Sequence, residues 1–233
     1  MSDILIHNVG QGSKEWLALR LGKFTSSRIG DLMTSSRKKG EIFGKTALSY
    51  IYEIAAERNI AEWVKAGNLD LWFERTQISA YALQYGIDNE DFARNEYSRM
   101  FDVAVEEVGF ITRKDIPFFG DSPDGVVREG GVLEIKCPKN SSIHLQYSLM
   151  QNAEDLKVMN SNYYWQCYSH LLATGAKWCD FVSYDMYQEN SIHRIRIYPD
   201  EFVFNQIRER ISLANDEVES ILKKVNSKEL QEV

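Results

Sequence analysis

Apolar residues recur along this chain with two periods, and each change of period marks a change of element. Near the C-terminus Phe204, Ile207, Ile211, Ala214, Val218, Ile221 and Val225 step by three and four, the spacing of a helix that lays one stripe on a core. Pro199-Asp200-Glu201 opens that helix, and a charged tail follows from Lys223. Leu48, Ile51, Tyr52 and Ile54 predict the inner face of a helix over 46–58, and a third helical pattern runs from about Glu74 to Met100, weakened at Gly86. On its last part Glu90, Ala93, Arg94 and Tyr97 share a face. Ser13 reads as the N-cap and Gly22 as the C-cap glycine of a helix near the N-terminus. Thr25-Ser26-Ser27 caps a second short helix carrying Ile29 and Leu32. Ser141 to Leu156 is helical, 157–161 is a break, and Tyr163 to Thr174 is an aromatic helix stopped by Gly175. Its Trp165, Tyr168, Leu171 and Leu172 belong mostly to the core.

The other period is two. Val103 to Thr112, Trp178 to Tyr184 and Ile192 to Ile197 read as strands. Gly125 to Arg128 and Val132 to Cys137 form a hairpin about Glu129-Gly130-Gly131, closed off by Pro138. Ser35 to Gly44 is a polar loop whose Arg37, Lys38 and Lys39 face either solvent or a nucleic-acid backbone, and Gly67 to Leu71 is a connection. Strands bracketed by helices from both ends give an α/β fold with a mixed central sheet. We read 1–233 as one domain: helices over 12–60, a core over about 74–200, and a C-terminal amphipathic helix over about 200–226.

The hairpin carries the chemistry. Side chains alternate along a strand, so Glu134 and Lys136 point one way and Leu133, Ile135 and Cys137 the other. Folding about the turn brings Asp124 near Ile135 and Lys136, because cross-strand neighbours lie ~5 Å apart. Two converging carboxylates repel unless a proton or a cation intervenes, and a hard divalent cation such as Mg²⁺ takes carboxylate oxygens together with phosphate. A neighbouring lysine can orient a water or offset charge on phosphate oxygens. Glu-x-Lys alone describes an exposed ion pair of little worth; Ser122-Pro123-Asp124-Gly125 followed by Leu133-Glu134-Ile135-Lys136-Cys137-Pro138 is far more specific.

Composition narrows the picture. The chain has 233 residues, 44% of them hydrophobic, enough for a real core, and no apolar run long enough to span a bilayer. Cys137, Cys167 and Cys179 are scattered without metal-ligand spacing and suit a reducing cytoplasm, and no secretion signal opens the chain. The net charge of −7 argues against a generic nucleic-acid binder, but residues 1–60 hold nine Lys/Arg against six Asp/Glu, +3, leaving −10 for the remainder.

The order Pro123-Asp124, then Glu134-x-Lys136, resembles the PD-(D/E)xK nuclease signature, and the fuller pattern is similar to the phage lambda exonuclease and YqaJ viral recombinase family. Trp16 to Arg28, 86–94 and 163–185 resemble further family segments in the same order. The resemblance implies a restriction-endonuclease-like core and a Mg²⁺-dependent 5′-to-3′ exonuclease on duplex DNA that leaves 3′ overhangs, with Mn²⁺ able to substitute. It implies that Asp124, Glu134 and the main-chain carbonyl of Ile135 hold the metal, that Lys136 serves the attacking water, and that Glu90 supports the site. Arg20, Ser27 and Ser122 would bind a terminal 5′-phosphate, although from the residues alone Arg20 is a surface arginine and Ser27 part of a cap. Gln166 matches the first glutamine of a family Gln-x-Gln pair that borders the pocket, and Tyr168 stands where the second would be. His170 receives no role, and Asp115 and Asp121 align with no family ligand. Helices over 12–60 would line a DNA channel. The resemblance also implies a trimeric ring, a single-strand annealing partner, and a phage- or prophage-encoded protein in the bacterial cytoplasm. An endonuclease of restriction or repair type on the same core, or a DNA-binding or assembly subunit without catalysis, are the alternative readings.

Overall fold

The computed structural model describes residues 3–76 and 81–227, and the side chains of 3–76 and 89–227. Among these residues the strands form two mixed sheets. The first has the order β1 (Ile4–His7), β4 (Phe110–Arg113), β5 (Ile116–Asp121), β2 (Phe24–Thr25), with only β2–β5 parallel. The second has the order β3 (Val105–Glu106), β6 (Gly125–Val127), β7 (Gly131–Lys136), β8 (Trp178–Tyr184), β9 (Ile192–Ile197), with only β7–β8 parallel. A parallel pair needs a long crossover, and α7 (Ser141–Ser148), α8 (Ala153–Met159) and α9 (Ser161–Thr174) supply it.

The alternation read along β7 divides the core in two. Val132 joins the larger cluster with Phe24, Ile51, Phe119, Leu171, Phe181 and Ile207, beneath α2 (Ser26–Leu32), α3 (Lys45–Arg58), α9 and α10 (Glu201–Asn226). Leu133, Ile135 and Cys137 join the smaller cluster with Ala93 and Tyr97 of α6 (Tyr81–Phe101). The remaining helices are α1 (Lys14–Arg20), α4 (Glu62–Lys65) and α5 (Leu69–Thr76).

Several expectations shift. The α3 stripe is Ala47, Tyr50, Ile51, Ile54 and Ala55, whereas Tyr52 is exposed; Tyr52 lies a full residue out of phase with that face. Val103 to Thr112 is two strands in different sheets, β3 and β4, split by the irregular segment 107–109. Pro117 concealed β5, since proline demotes a strand; here it lies beside a register shift in the β4–β5 ladder. The helix expected over 141–156 ends at Ser148 and restarts at Ala153, because the Asn152 side chain accepts from the N–H groups of Glu154 and Asp155. Asn160 caps α9 in the same way, so the helix begins at Ser161, two residues before its expected start. The connection over 67–71 is already helical from Leu69. Residues 77–80 of the long helical pattern, and the tail beyond 227, lie outside the described residues.

Candidate active site

Ser122 and Pro123 carry the chain from β5 in one sheet to β6 in the other. The β6–β7 ladder pairs Gly125 with Leu133. Beyond it, the Asp124 N–H donates to the Leu133 carbonyl at 3.0 Å, and the Ile135 N–H donates to Asp124 Oδ2 at 2.6 Å. Asp124 therefore brackets Glu134 and meets Ile135 as the hairpin predicts. Its main-chain carbonyl accepts from Arg94 Nη1 at 2.9 Å.

Glu134 is fully buried. Its Oε2 accepts from Gln166 Nε2 at 2.8 Å and from His170 Nε2 at 2.6 Å, while its Oε1 forms an ion pair with Lys136. That pair lacks the alignment of a directed hydrogen bond, so Oε1 is otherwise unpartnered. The Lys136 ammonium also lies 5.0 Å from the centre of the Tyr163 ring. Glu90 of α6, half-buried, lies within electrostatic reach of both Lys136 and Glu134.

These groups perturb one another as a converging set must. Burial, then the Glu134 charge, push the Asp124 carboxyl up to about 8 despite Lys136. Burial would also raise Glu134, but the Lys136 and His170 charges hold it below the usual carboxylate range. Burial raises Glu90, with Glu134 adding to the effect. Burial opposes the Lys136 charge, yet Glu134 and Asp124 outweigh it and hold its ammonium charged well above the lysine range.

A second cluster adjoins the first. Trp16 Nε1 donates to Ser122 Oγ at 2.8 Å, and the Arg20 guanidinium stacks 4.1 Å from the Trp16 ring centre. Arg20 Nη2 reaches Thr25 Oγ1 at 3.4 Å, and that hydroxyl lies 3.4 Å from Ser27 Oγ. Arg20, Ser27 and Ser122 thus belong to one connected group, with Ser27 exposed and the other two half-buried. Thr25 precedes α2 without capping it; its hydroxyl faces Arg20 and Ser27 instead.

Sequence reasoning missed two residues. His170 is fully buried, its Nδ1 2.7 Å from Asp121 Oδ1 and its Nε2 2.6 Å from Glu134. The signal was present: His170 follows Gln166 by four on α9, so both present one face. Asp121, fully buried, also accepts from Ser26 Oγ. Tyr168 turns instead into the core against Tyr164 and Phe204. Asp115 pairs with Arg113 at the β4–β5 turn.

The donor set suits a hard divalent cation. Two carboxylates, one with a raised proton affinity and one with a buried oxygen free of directed hydrogen bonds, match a cation that holds few protein oxygens and keeps room for water and phosphate. Among the described residues no cluster of three or more His, Cys, Asp or Glu side chains is assembled as an all-protein cage.

Residues 15–177 match the model of the YqaJ-like viral recombinase domain. An alkaline exonuclease from Laribacter hongkongensis, LHK-Exo, superposes with a TM-score of 0.72 at 30% identity, covering 93% of this chain and 97% of that one. The structure of LHK-Exo in complex with dAMP gives 0.73 at 31% over the same shares. A phage-related exonuclease from Haemophilus somnus 129PT gives 0.63 at 15% identity, covering 87% and 96%, a likeness of fold alone. No curated protein sequence matches. The chain belongs to the YqaJ-like viral recombinase domain family and has the mixed α/β PD-(D/E)xK fold of the phage-type exonucleases.

Proposed function

We propose that this protein is a Mg²⁺-dependent exonuclease that digests the 5′-ended strand of duplex DNA and leaves a 3′ overhang, with Mn²⁺ as an alternative ion. The observation that carries this reading is the meeting of Asp124, Glu134 and Lys136 within one hairpin, with Glu90 facing them and the Arg20–Trp16–Ser122 cluster alongside. Asp124, Glu134 and the Ile135 carbonyl would hold the ion. When bound, it would polarise a phosphate and make a bound water more acidic. Lys136, fixed by Glu134, keeps its charge and is placed to orient the water and to offset charge on the phosphate oxygens. Glu90 supplies a further acceptor for the water. Gln166 holds the Glu134 carboxylate in its rotamer.

The end-binding role falls to Arg20, Ser27 and Ser122. A guanidinium grips phosphate with a planar fork, and burial lowers the Arg20 proton affinity, so an anion there would be welcome. A relative that binds dAMP is consistent with a product mononucleotide occupying the same region here. A ring-shaped trimer, a single-strand annealing partner and a bacterial cytoplasmic setting complete the reading; among the described residues no helix is long and apolar enough to cross a membrane.

The test is digestion of end-labelled linear duplex with and without Mg²⁺. Mononucleotide release from the 5′ end only with metal supports the reading, and release from the 3′ end or cutting of intact circular duplex rejects it.

A further inference from the structure

A line of buried hydrogen bonds joins the two halves of the site. Ser26, the first residue of α2, donates to Asp121 Oδ1. The same oxygen lies 2.7 Å from His170 Nδ1, and His170 Nε2 lies 2.6 Å from Glu134 Oε2. Ser26 is 3% exposed, and Asp121, His170 and Glu134 are 0% exposed. Ser26 stands between Thr25 and Ser27 of the end-binding cluster, while Asp121 immediately precedes Ser122.

We propose that the Asp121–His170 pair is a buried strut that fixes the Glu134 carboxylate for metal binding and ties it to the start of α2. This rests on the metal-dependent exonuclease reading and adds two positioning residues to it. Gln166 gives Glu134 one directed hydrogen bond and Lys136 an ion pair without one, so these two by themselves leave the carboxylate free to rotate. The imidazole adds a second bond to the same oxygen and anchors it to Asp121, because each ring nitrogen is committed to a different carboxylate. Removing the ring leaves a buried oxygen on each carboxylate without the hydrogen-bond partner that joins them, so neither holds the other in place. Asp121 is the fixed end: its backbone belongs to the β4–β5 ladder, opposite Ile111. Its second oxygen is buried without a hydrogen-bond partner among the described residues, so the Ser26 and His170 contacts are what hold this carboxylate.

Partners behind metal-binding groups usually cost 10- to 100-fold in metal affinity or activity when removed. We therefore expect His170→Gln and Asp121→Asn each to lower the maximal digestion rate of 5′-phosphorylated duplex by about 10- to 100-fold, and to weaken Mn²⁺ binding, by calorimetry without DNA, over a similar range. The double variant should be no worse than the poorer single one, because both cut the same strut. Binding of a 5′-phosphorylated duplex end in EDTA should stay within about twofold of the parent, since the strut lies behind the binding groups and not among them. Each variant is first checked for a cooperative melt; should His170→Gln not fold, Asp121→Asn and Ser26→Ala, which remove less, carry the test. Folded variants with parental rates and Mn²⁺ affinity overturn the strut, as do losses that multiply in the double variant. A parent without metal-stimulated digestion overturns the exonuclease reading itself, and the strut's catalytic role with it.

Discussion

If Asp124 is a metal ligand as proposed, raising the pH from 7 to 9 should tighten divalent-cation binding about tenfold, because it would have to release a proton to accept the ion. Burial and the neighbouring Glu134 charge push this carboxyl up to about 8 in the metal-free protein. About a tenth of the carboxyls are then ionised at pH 7 and about nine-tenths at pH 9, and each unit of pH below 8 costs about 1.4 kcal/mol of apparent affinity. Glu134 is already ionised across this range and Lys136 stays charged, so neither alters the slope. Calorimetric titration of the DNA-free protein with Mn²⁺ at several pH values measures the affinity, and repeating it in buffers of different ionisation enthalpy counts the protons. Close to one proton should leave per ion at pH 7 and almost none above pH 9. A flat affinity with no proton released would refute the reasoning. The same shift acts on stability. Asp124 has a higher proton affinity folded than unfolded, so in the metal-free protein it favours folding at low pH and loses that contribution as the pH rises through about 8. His170 and Glu90 are also raised, and act in the same direction. The metal-free Tm should fall from pH 6 to pH 9, Mg²⁺ should restore more of it at the higher pH, and Asp124→Asn should flatten the fall.

Lys136→Ala should lower the cleavage rate by about 10²- to 10⁴-fold while leaving a folded protein; digestion at the parent rate would remove Lys136 from the mechanism. Substrate with a 5′-hydroxyl should be digested more slowly than its phosphorylated counterpart, and Arg20→Ala should erase most of that difference; equal rates for both ends in the parent would dismiss the Arg20–Ser27–Ser122 cluster as an end sensor. Gly120→Ala is a stability test: a Cβ there would come within 2.0 Å of Phe110 Cζ, inside the core. It should cost about 1–3 kcal/mol and several degrees of Tm, read by calorimetry.

The hairpin was legible because it is local. Its turn glycines, its alternation and its carboxylates all fall within a short stretch, so the ladder register brings Asp124 and Glu134 together with little help from the rest of the fold. The resemblance implied that Gln166 borders the pocket, but its bond to this carboxylate came only from the fold. His170 could be read only as a face-mate of Gln166, and Asp121 not at all, since the contacts that join them to each other and to Glu134 span 49 and 36 residues. A buried histidine on an aromatic helix reads as core until the strand opposite it is known. Tyr52 shows the complementary failure: hydrophobicity put it inside, while the small residues Ala47 and Ala55 set the true phase of α3. The helix break at 149–152 depends on an asparagine side chain turning back on its own backbone, a competition that periodicity does not see.

The link between the sheets places the Arg20–Ser27–Ser122 cluster beside the Asp124–Glu134 pair, so the proposed end binding and chemistry would sit side by side. Ser122, Pro123 and Asp124 are consecutive, and each is held by a different element. Ser122 takes the Trp16 indole N–H, Pro123 offers its carbonyl to Gln11 Nε2 at 3.1 Å, and Asp124 is fixed by Arg94 and Ile135. Proline adds a locked φ in the middle. Gln11 is the weakest of these anchors and lies outside both clusters, so it isolates the effect of the link. Its amide also donates to the Val108 carbonyl at 2.9 Å, bridging the segment before β4 to the crossing. Gln11→Ala should therefore cost about 1–2 kcal/mol for two half-exposed hydrogen bonds. It should also slow digestion several-fold more than it weakens end binding in EDTA, since the end cluster keeps its own contacts while Asp124 gains freedom. Equal losses in rate and end binding would mean that the crossing is not what registers one site against the other.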